Sequence, residues 1–173
     1  MALMSETLIM TAYLERLAEA VGHRLLERQA LLTTAESCTG GWIAQVVTSV
    51  PGSSSWFDRG FVTYSNLAKQ EMLGVTPETL AAHGAVSGPV VAEMAEGALC
   101  HSQARFAVAV SGIAGPDGGS EDKPVGTVYL AWARRNLEPI IQRRLFAGDR
   151  EEVRRQTVHL ALERLIELLD ADG

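Results

Sequence analysis

The sequence predicts an α/β protein, a three-layer α/β/α sandwich with a mixed, mostly parallel sheet. Segments with apolar residues at helical spacing alternate with short apolar, β-branched segments along the chain. Residues 106–111 (FAVAVS) are almost continuously apolar, which is typical of a central strand covered on both faces. Late in the chain, two strand-like segments follow each other and predict a hairpin. The length of 173 residues favours one domain over residues 1–173.

The individual elements follow from apolar spacing, strand-forming residues and capping signals. The long helices expected from apolar residues three and four apart cover residues 7–28, 39–50, 88–101 and the segment that begins at Asp149. The expected strands cover residues 30–35, 57–64, 106–111, 126–133 and 139–146. Ser65 and Asn66 precede a short helix that Gly74 ends, and Thr76 with Pro77 begins another. This order places helices between the first three strands, as parallel pairing requires.

Composition and charge exclude several classes of protein. The formal net charge of −6 argues against a nucleic-acid scaffold, which needs a basic face. The arginines available for a local basic patch are Arg134, Arg135, Arg143, Arg144, Arg150, Arg154 and Arg155, although charge runs are usually solvated surface. No segment is long and apolar enough to span a bilayer, and no signal peptide is expected. Cys38 and Cys100 give neither metal-ligand spacing nor a disulfide framework, which favours a reducing cytoplasm.

A candidate anion site follows the first predicted strand. In residues 31–41 (LLTTAESCTGG), a buried strand gives way to hydroxyls and glycines, and a helix is expected to begin near Thr39. The first turn of such a helix presents unpaired amide N–H groups, and its dipole favours negative charge. Gly40 and Gly41 allow a ligand to approach the backbone closely. The alternative is an ordinary helix N-cap formed by Thr39 or Ser37, and this segment alone does not decide between the two.

Three polar, glycine-rich loops carry the candidate reactive groups. They cover residues 36–41, 51–55 with 64–69, and 111–119, at strand ends or helix starts, where open α/β sheets bind ligands. If the loops meet, the pocket between them is expected to contain Ser37, Ser54, Tyr64, Lys69, Ser111 and Glu36. These loops contain no histidine, so a serine nucleophile would need a different base.

Lys69 is the candidate base, because burial can lower the pKa of a lysine amine. The chain has only two lysines, Lys69 and Lys123, against thirteen arginines, which suits a position where deprotonation is needed. The alternative interpretation of Lys69 is an exposed lysine on a helix. Cys38 is a rival nucleophile at a helix start, and its alternative role is that of a small apolar filler, which the absence of an accompanying base favours.

A series of motifs resembles a known family. The matching segments are residues 34–41 (TAESCTGG), 50–54 (VPGSS), 60–69 (GFVTYSNLAK), 83–87 (HGAVS), 111–116 (SGIAGP) and 123–127 (KPVGT). In this order they are similar to the CinA C-terminal domain over nearly the whole chain. One departure is Ser111, where the family commonly has threonine; the hydroxyl is kept. The resemblance is to the stand-alone form, without the additional domain of longer members.

The resemblance implies hydrolysis of the carboxamide of nicotinamide mononucleotide to nicotinate mononucleotide and ammonia. It also implies a serine–lysine mechanism, no metal or cofactor, and a homo-oligomer. On this basis Ser54 is the expected nucleophile and Lys69 its base, with Tyr64 holding the lysine or the developing charge. The amides of the turn around Ser53 are expected to stabilise the oxyanion. Ser37 is the other candidate nucleophile.

The remaining site predictions concern substrate binding. The residues expected to bind substrate are Glu36, Thr39, Gly40, Gly52, Ser53, Asn66, Ser111, Gly112 and Arg150, besides Ser37. Arg150 is the expected cationic contact for the phosphate. The alternative function is a nucleotide-binding accessory protein of competence or DNA-damage response, without amidase activity. Direct DNA binding is disfavoured by the acidic balance.

Overall fold

The computed structural model describes residues 5–172. The helices are α1 (Glu6–Glu27), α2 (Trp42–Thr48), α3 (Asn66–Leu73), α4 (Pro77–His83), α5 (Gly88–Cys100) and α6 (Arg150–Ala171). The strands are β1 (Leu32–Glu36), β2 (Phe57–Val62), β3 (Phe106–Gly112), β4 (Thr127–Arg134) and β5 (Ile140–Leu145). A short 3-10 turn, Ser53–Ser55, precedes β2. In this described part of the chain, no helix has the length and apolarity needed to cross a membrane.

The five strands form one mixed sheet in the order β2-β1-β3-β4-β5. β1 pairs in parallel with β2 and with β3, whereas β3–β4 and β4–β5 are antiparallel. The late hairpin of β4 and β5 is therefore confirmed. β1 and β3 are fully buried up to the end of the apolar stretch, as a strand with helices on both faces must be.

Helices cover both faces of the sheet, which confirms the predicted three layers. On one face α1, α2 and α6 bury an apolar core against the sheet, where Leu32, Val108 and Trp132 are among the buried side chains. On the other face α5 packs on the strands, with α3 and α4 beside it, and Met94 and Ala109 are buried there. The two layers bring α3 and the start of α6 to the same end of the sheet as the loop after β1.

Several predicted caps are present. Ser65 caps α3 through a hydrogen bond from the Ala68 amide, and Gly74 ends this helix at φ +71°. Asp149 caps α6 within a capping box completed by Glu152. These caps fix the starts of the two helices that carry Lys69 and Arg150.

Parallel pairing puts the carboxyl ends of the first three strands at one edge of the sheet. β1 is aligned with β2 from Leu32 opposite Phe57 to Glu36 opposite Val62. The loops that follow β1, β2 and β3 therefore meet at the carboxyl edge, where open α/β sheets bind ligands. The segment that connects α2 to the start of β2 lies at the opposite, amino edge.

Candidate active site

Lys69 and Ser37 form the centre of the site at the carboxyl edge of the sheet. The Nζ atom of Lys69 lies 3.0 Å from the Oγ atom of Ser37. The same nitrogen lies 2.7 Å from the carbonyl oxygen of Thr63 and 3.3 Å from that of Tyr64. Lys69 is 1% exposed, and in residues 5–172 it forms no ion pair. The alternative of an exposed helix lysine is therefore wrong.

The three oxygens around the Lys69 nitrogen can accept the three hydrogens of an ammonium, and in the neutral amine they direct its lone pair to Ser37. Burial lowers the pKa of the Lys69 amine below its ordinary value of 10.5, because a buried ammonium loses its hydration. A neutral amine has two hydrogens and one lone pair. The carbonyl oxygens of Thr63 and Tyr64 can only accept, so they take the two hydrogens. The lone pair then remains for the hydroxyl hydrogen of Ser37.

The loop that carries Ser37 is held by a buried carboxylate at the end of β1. The Glu36 carboxylate accepts hydrogen bonds from the Thr39 hydroxyl (2.6 Å) and from the amides of Ile43 (2.8 Å) and Ala44 (3.1 Å). Burial raises the pKa of Glu36, and the hydrogen bonds from Thr39 and from nearby backbone amides act in the opposite direction. The carboxylate thus ties the loop to the first turn of α2.

Glu36 also overturns both predictions for the start of α2. The helix begins at Trp42, after Gly41 at φ +99°, and no side chain of Thr39 or Ser37 caps it. The amides expected to receive a ligand anion are bonded to the carboxylate of Glu36 instead. The predicted contact of Glu36 with substrate is wrong for the same reason, since Glu36 is 1% exposed and its carboxylate is bonded to the loop and to α2.

A pocket of about 180 Å³ surrounds the Ser37–Lys69 pair. The residues that line it are Ser37, Cys38, Tyr64, Lys69, Ala85, Val86, Ser111, Gly112, Ala114 and Arg150. The structure therefore brings together the predicted residues Ser37, Tyr64, Lys69, Ser111, Gly112 and Arg150. The Ser111 hydroxyl donates to the carbonyl oxygen of Ala85 at 2.8 Å, which joins the two walls of the pocket.

An open groove of about 580 Å³ continues from the pocket across Arg150, which borders both. Arg150 donates to the carbonyl oxygen of Gly115 at 2.7 Å and to the Tyr64 hydroxyl at 3.2 Å. Arg154 donates to the carbonyl oxygens of Cys38 and Thr39. Neither guanidinium has an acidic partner in the described part of the chain. The groove therefore has two guanidinium groups without an ion pair among residues 5–172, and Glu151 also lines it.

Arg154 lines the groove, and the sequence predictions did not include it among the site residues. Its guanidinium carbon lies 5.3 Å from the centre of the Trp42 ring, so it also stacks on the wall of the groove. The signal for it was the spacing of four residues from Arg150, which puts both side chains on one face of α6. Thr39 and Gly40, which were predicted to bind substrate, line this groove rather than the pocket.

The predicted pair of Ser54 with Lys69 is wrong. Ser54 lies in the exposed turn before β2, at the amino edge of the sheet, whereas Lys69 lies beyond its carboxyl edge. The five-residue span of β1 separates the two edges by about 16 Å, at about 3.3 Å per residue. Gly52 and Ser53 belong to the same distant turn, where the Ser53 amide donates to the carbonyl oxygen of Val50. This turn therefore supplies neither the nucleophile nor the oxyanion donors of the Lys69 site.

Two further predictions concern Cys38 and Asn66. Burial, followed by the nearby Glu36 carboxylate, raises the pKa of the Cys38 thiol to about 12. This environment disfavours the thiolate and agrees with Cys38 as a small filler beneath the loop. Asn66 is exposed on the first turn of α3 and does not border the pocket.

The fold and the site define a mixed-sheet α/β protein with a serine–lysine contact beside a cationic groove. The chain belongs to the CinA family, because the CinA C-terminal domain matches residues 14–169. A relative named nicotinamide-nucleotide amidohydrolase PncC from Escherichia coli (strain K12) is 61% identical over 152 residues, which are 88% of this chain and 92% of that protein. The protein of the same name from Pseudomonas putida is 57% identical over 88% of this chain and 94% of its own.

Solved structures of the same superfamily have the same fold. The competence/damage inducible protein CihA from Agrobacterium tumefaciens is 48% identical and superposes with a TM-score of 0.87, over 97% of this chain and 99% of that chain. The competence damage-inducible protein A from Klebsiella pneumoniae is 43% identical with a TM-score of 0.88, over 91% of this chain and 97% of its own. These likenesses confirm the predicted family and fold class.

Proposed function

We propose that the protein hydrolyses the carboxamide of nicotinamide mononucleotide to nicotinate mononucleotide and ammonia, with Ser37 as nucleophile and Lys69 as base. The observation that carries this proposal is the 3.0 Å contact between the Lys69 amine and the Ser37 hydroxyl, in a buried site where Lys69 has no ion pair among residues 5–172. The amidohydrolase names of relatives 57–61% identical to this chain support the reaction class.

Acylation of Ser37 uses the lone pair of Lys69. The amine takes the proton of the hydroxyl as Oγ bonds to the carboxamide carbon, and the carbonyl π electrons move to oxygen. The tetrahedral intermediate then collapses and its C–N bond breaks. The Lys69 ammonium returns the proton to the departing nitrogen, which leaves as ammonia, and Ser37 is left as an ester.

Deacylation runs through the same two groups. Lys69 accepts a proton from water as the water oxygen bonds to the ester carbon. Collapse of this second intermediate expels the Ser37 oxygen, which recovers its proton from Lys69. The balance is one amide and one water consumed, and one carboxylic acid and one ammonia formed; both products ionise at neutral pH.

The shape of the site supports one arrangement of the parts of the nucleotide. The pocket around Ser37 is small, which suits the carboxamide and its pyridine ring, and the groove beside it is larger. Arg150 and Arg154 favour the phosphate in the groove, since guanidinium groups bind phosphate through paired N–H donors. Tyr64 connects the two regions, because its carbonyl oxygen binds Lys69 and its hydroxyl binds Arg150.

Ammonia release tests this proposal. The wild-type protein is incubated with nicotinamide mononucleotide, nicotinamide riboside and nicotinamide, and ammonia and the acid product are both measured. We expect turnover of the nucleotide and much lower kcat/KM for the other two. Lys69→Met, which matches lysine in length, is expected to lose turnover. Nucleotide binding without ammonia release from the wild type would contradict the proposal and favour the accessory-protein alternative.

A further inference from the structure

We propose that the backbone N–H groups of Cys38 and Gly112 form the oxyanion hole of the Ser37 site. This inference rests on the proposed acyl transfer and names the groups that bind the negative charge it creates. Hydrogen-bond donors aimed at the developing oxyanion are often the largest single contribution to such a reaction.

The pairing of β1 with β3 leaves the Gly112 amide unpaired. In this parallel ladder, the Ser37 amide donates to the carbonyl oxygen of Val110 at 3.1 Å. The next rung would run from the Gly112 amide to the carbonyl oxygen of Ser37. That oxygen instead accepts from the Gly40 amide at 3.0 Å, because the chain turns away after Ser37. In residues 5–172 the Gly112 amide therefore has no acceptor.

The direction of the Gly112 amide follows from the antiparallel pairing on the other side of β3. The Ile113 amide donates to the carbonyl oxygen of Thr127 in β4. Successive N–H groups of a strand point to opposite sides. The Gly112 N–H is therefore directed toward β1, at the place that the chain leaves after Ser37. Gly112 is half-buried and lines the pocket there.

Cys38 supplies the second donor, directly after the nucleophile. Its amide forms no hydrogen bond to another residue in the part of the chain that the structure describes. Of the later amides, those of Gly40 and Trp42 donate to backbone carbonyl oxygens, and those of Ile43 and Ala44 donate to Glu36. Cys38 lines the pocket.

A third amide of the loop is excluded by its position. The Thr39 N–H also lacks an acceptor in residues 5–172, but Thr39 borders the groove and not the pocket. The Cys38 and Gly112 amides come from different strand ends, one beside Ser37 and one across from it. A carboxamide oxygen placed between them would receive both hydrogen bonds as its carbon becomes tetrahedral.

The test replaces single amides by esters, which removes one N–H and keeps the shape of the backbone. The ester at Gly112 is made with glycolate, and the ester at position 38 is made with lactate and compared with Cys38→Ala. We expect each ester to lower kcat for nicotinamide mononucleotide by about a hundredfold to a thousandfold with little change in KM. An ester at Ile113 is the matched control, because it removes a structural bond to Thr127; it should lower the unfolding midpoint and leave kcat unchanged.

The outcomes separate this inference from the proposed function. An active wild type with unaffected esters at Cys38 and Gly112 would overturn the oxyanion hole alone. An inactive wild type would overturn the proposed function and the inference with it. If an ester variant does not fold, the wild type is assayed with the thioamide analogue of the nucleotide, whose sulfur accepts N–H hydrogen bonds weakly. We expect a large fall in kcat, and equal rates for the two substrates would contradict the hole.

Discussion

The Nζ atom of Lys69 lies 3.0 Å from the Oγ atom of Ser37, although the two residues are on different elements separated by 32 positions in the chain. Lys69 is on α3 and Ser37 follows β1, and parallel pairing of β1 with β2 brings both to one edge of the sheet. The contact is buried, and two carbonyl oxygens occupy the amine hydrogens. When the amine is neutral, this arrangement directs its lone pair to the hydroxyl hydrogen of Ser37.

The rate of the reaction should depend on the protonation of Lys69. Burial lowers the pKa of this amine below 10.5, and only the neutral form can accept the Ser37 proton. We therefore expect kcat/KM to rise with pH and to level off at a pH below 10.5. The measurement is initial ammonia release across the pH range in which the protein stays folded. A profile that falls steadily from neutral to alkaline pH would be incompatible with Lys69 as the base.

The pH dependence of the free energy of unfolding should also reflect the lowered pKa of Lys69. Lys69 binds its proton more weakly in the folded state, so between the folded pKa and 10.5 the unfolded state holds more protons. The free energy of unfolding of the wild type, relative to Lys69→Met, should therefore rise with pH through this window, by at most about 1.4 kcal/mol per pH unit. Urea unfolding of both proteins measures the difference. Parallel pH curves would show that the amine is not perturbed.

Removing one positive charge from the groove should raise KM for the nucleotide and change KM for the nucleoside little. Arg150→Met deletes a guanidinium that borders both the pocket and the groove. We expect KM for nicotinamide mononucleotide to rise by about tenfold to a hundredfold, the range of a hydrogen-bonded charge, with little effect on the riboside. Arg155→Met is the matched control, because it removes the same charge from α6 outside the groove. An equal rise in KM for Arg150→Met and Arg155→Met would contradict a direct phosphate contact, because it would reflect only the loss of positive charge.

The packing of α5 against α3 should fix the position of Lys69, because Lys69 lies on α3. A Cβ atom at Gly97 of α5 would lie 1.9 Å from the carbonyl oxygen of Leu73, at the end of α3. Gly97→Ala must therefore displace α3, and we expect a loss of stability of about 1–3 kcal/mol and a lower kcat. Glu96→Ala, at the exposed neighbouring position, is the control and should change neither. Retention of wild-type kcat in Gly97→Ala would show that Lys69 tolerates the shift.

Local signals in the sequence were sufficient for most elements and several caps. Ser65 caps the start of α3, Gly74 caps its end, and Asp149 caps the start of α6, as predicted. These caps could be predicted because capping depends on residues within one turn. The apolar stretch of β3 likewise predicted its central place. The prediction that failed at the start of α2 depended on Glu36, a carboxylate seven residues before the amide of Ile43 that it binds. Such a contact depends on how the chain turns and has no local pattern.

The choice between the two serines shows what sequence alone left open. Ser37 and Ser54 both lie in polar turns within three residues of a glycine, so residue type does not distinguish them. Their order relative to the strands does: Ser37 follows β1, whereas Ser54 precedes β2. In parallel strands these positions lie at opposite edges, and ligands bind at the carboxyl edge. The order of the serines and strands can be read from the sequence, but it distinguishes the two serines only once β1 is known to pair in parallel with β2.

Ammonia release by Ser37→Ala and Ser54→Ala, assayed beside the wild type with nicotinamide mononucleotide, tests the central claim most directly. Both variants are expected to fold, since each removes one hydroxyl. The site at the carboxyl edge predicts that Ser37→Ala loses at least about a thousandfold in kcat while Ser54→Ala stays within about twofold of the wild type. Full turnover by Ser37→Ala, or its loss in Ser54→Ala alone, would contradict a nucleophile activated by Lys69.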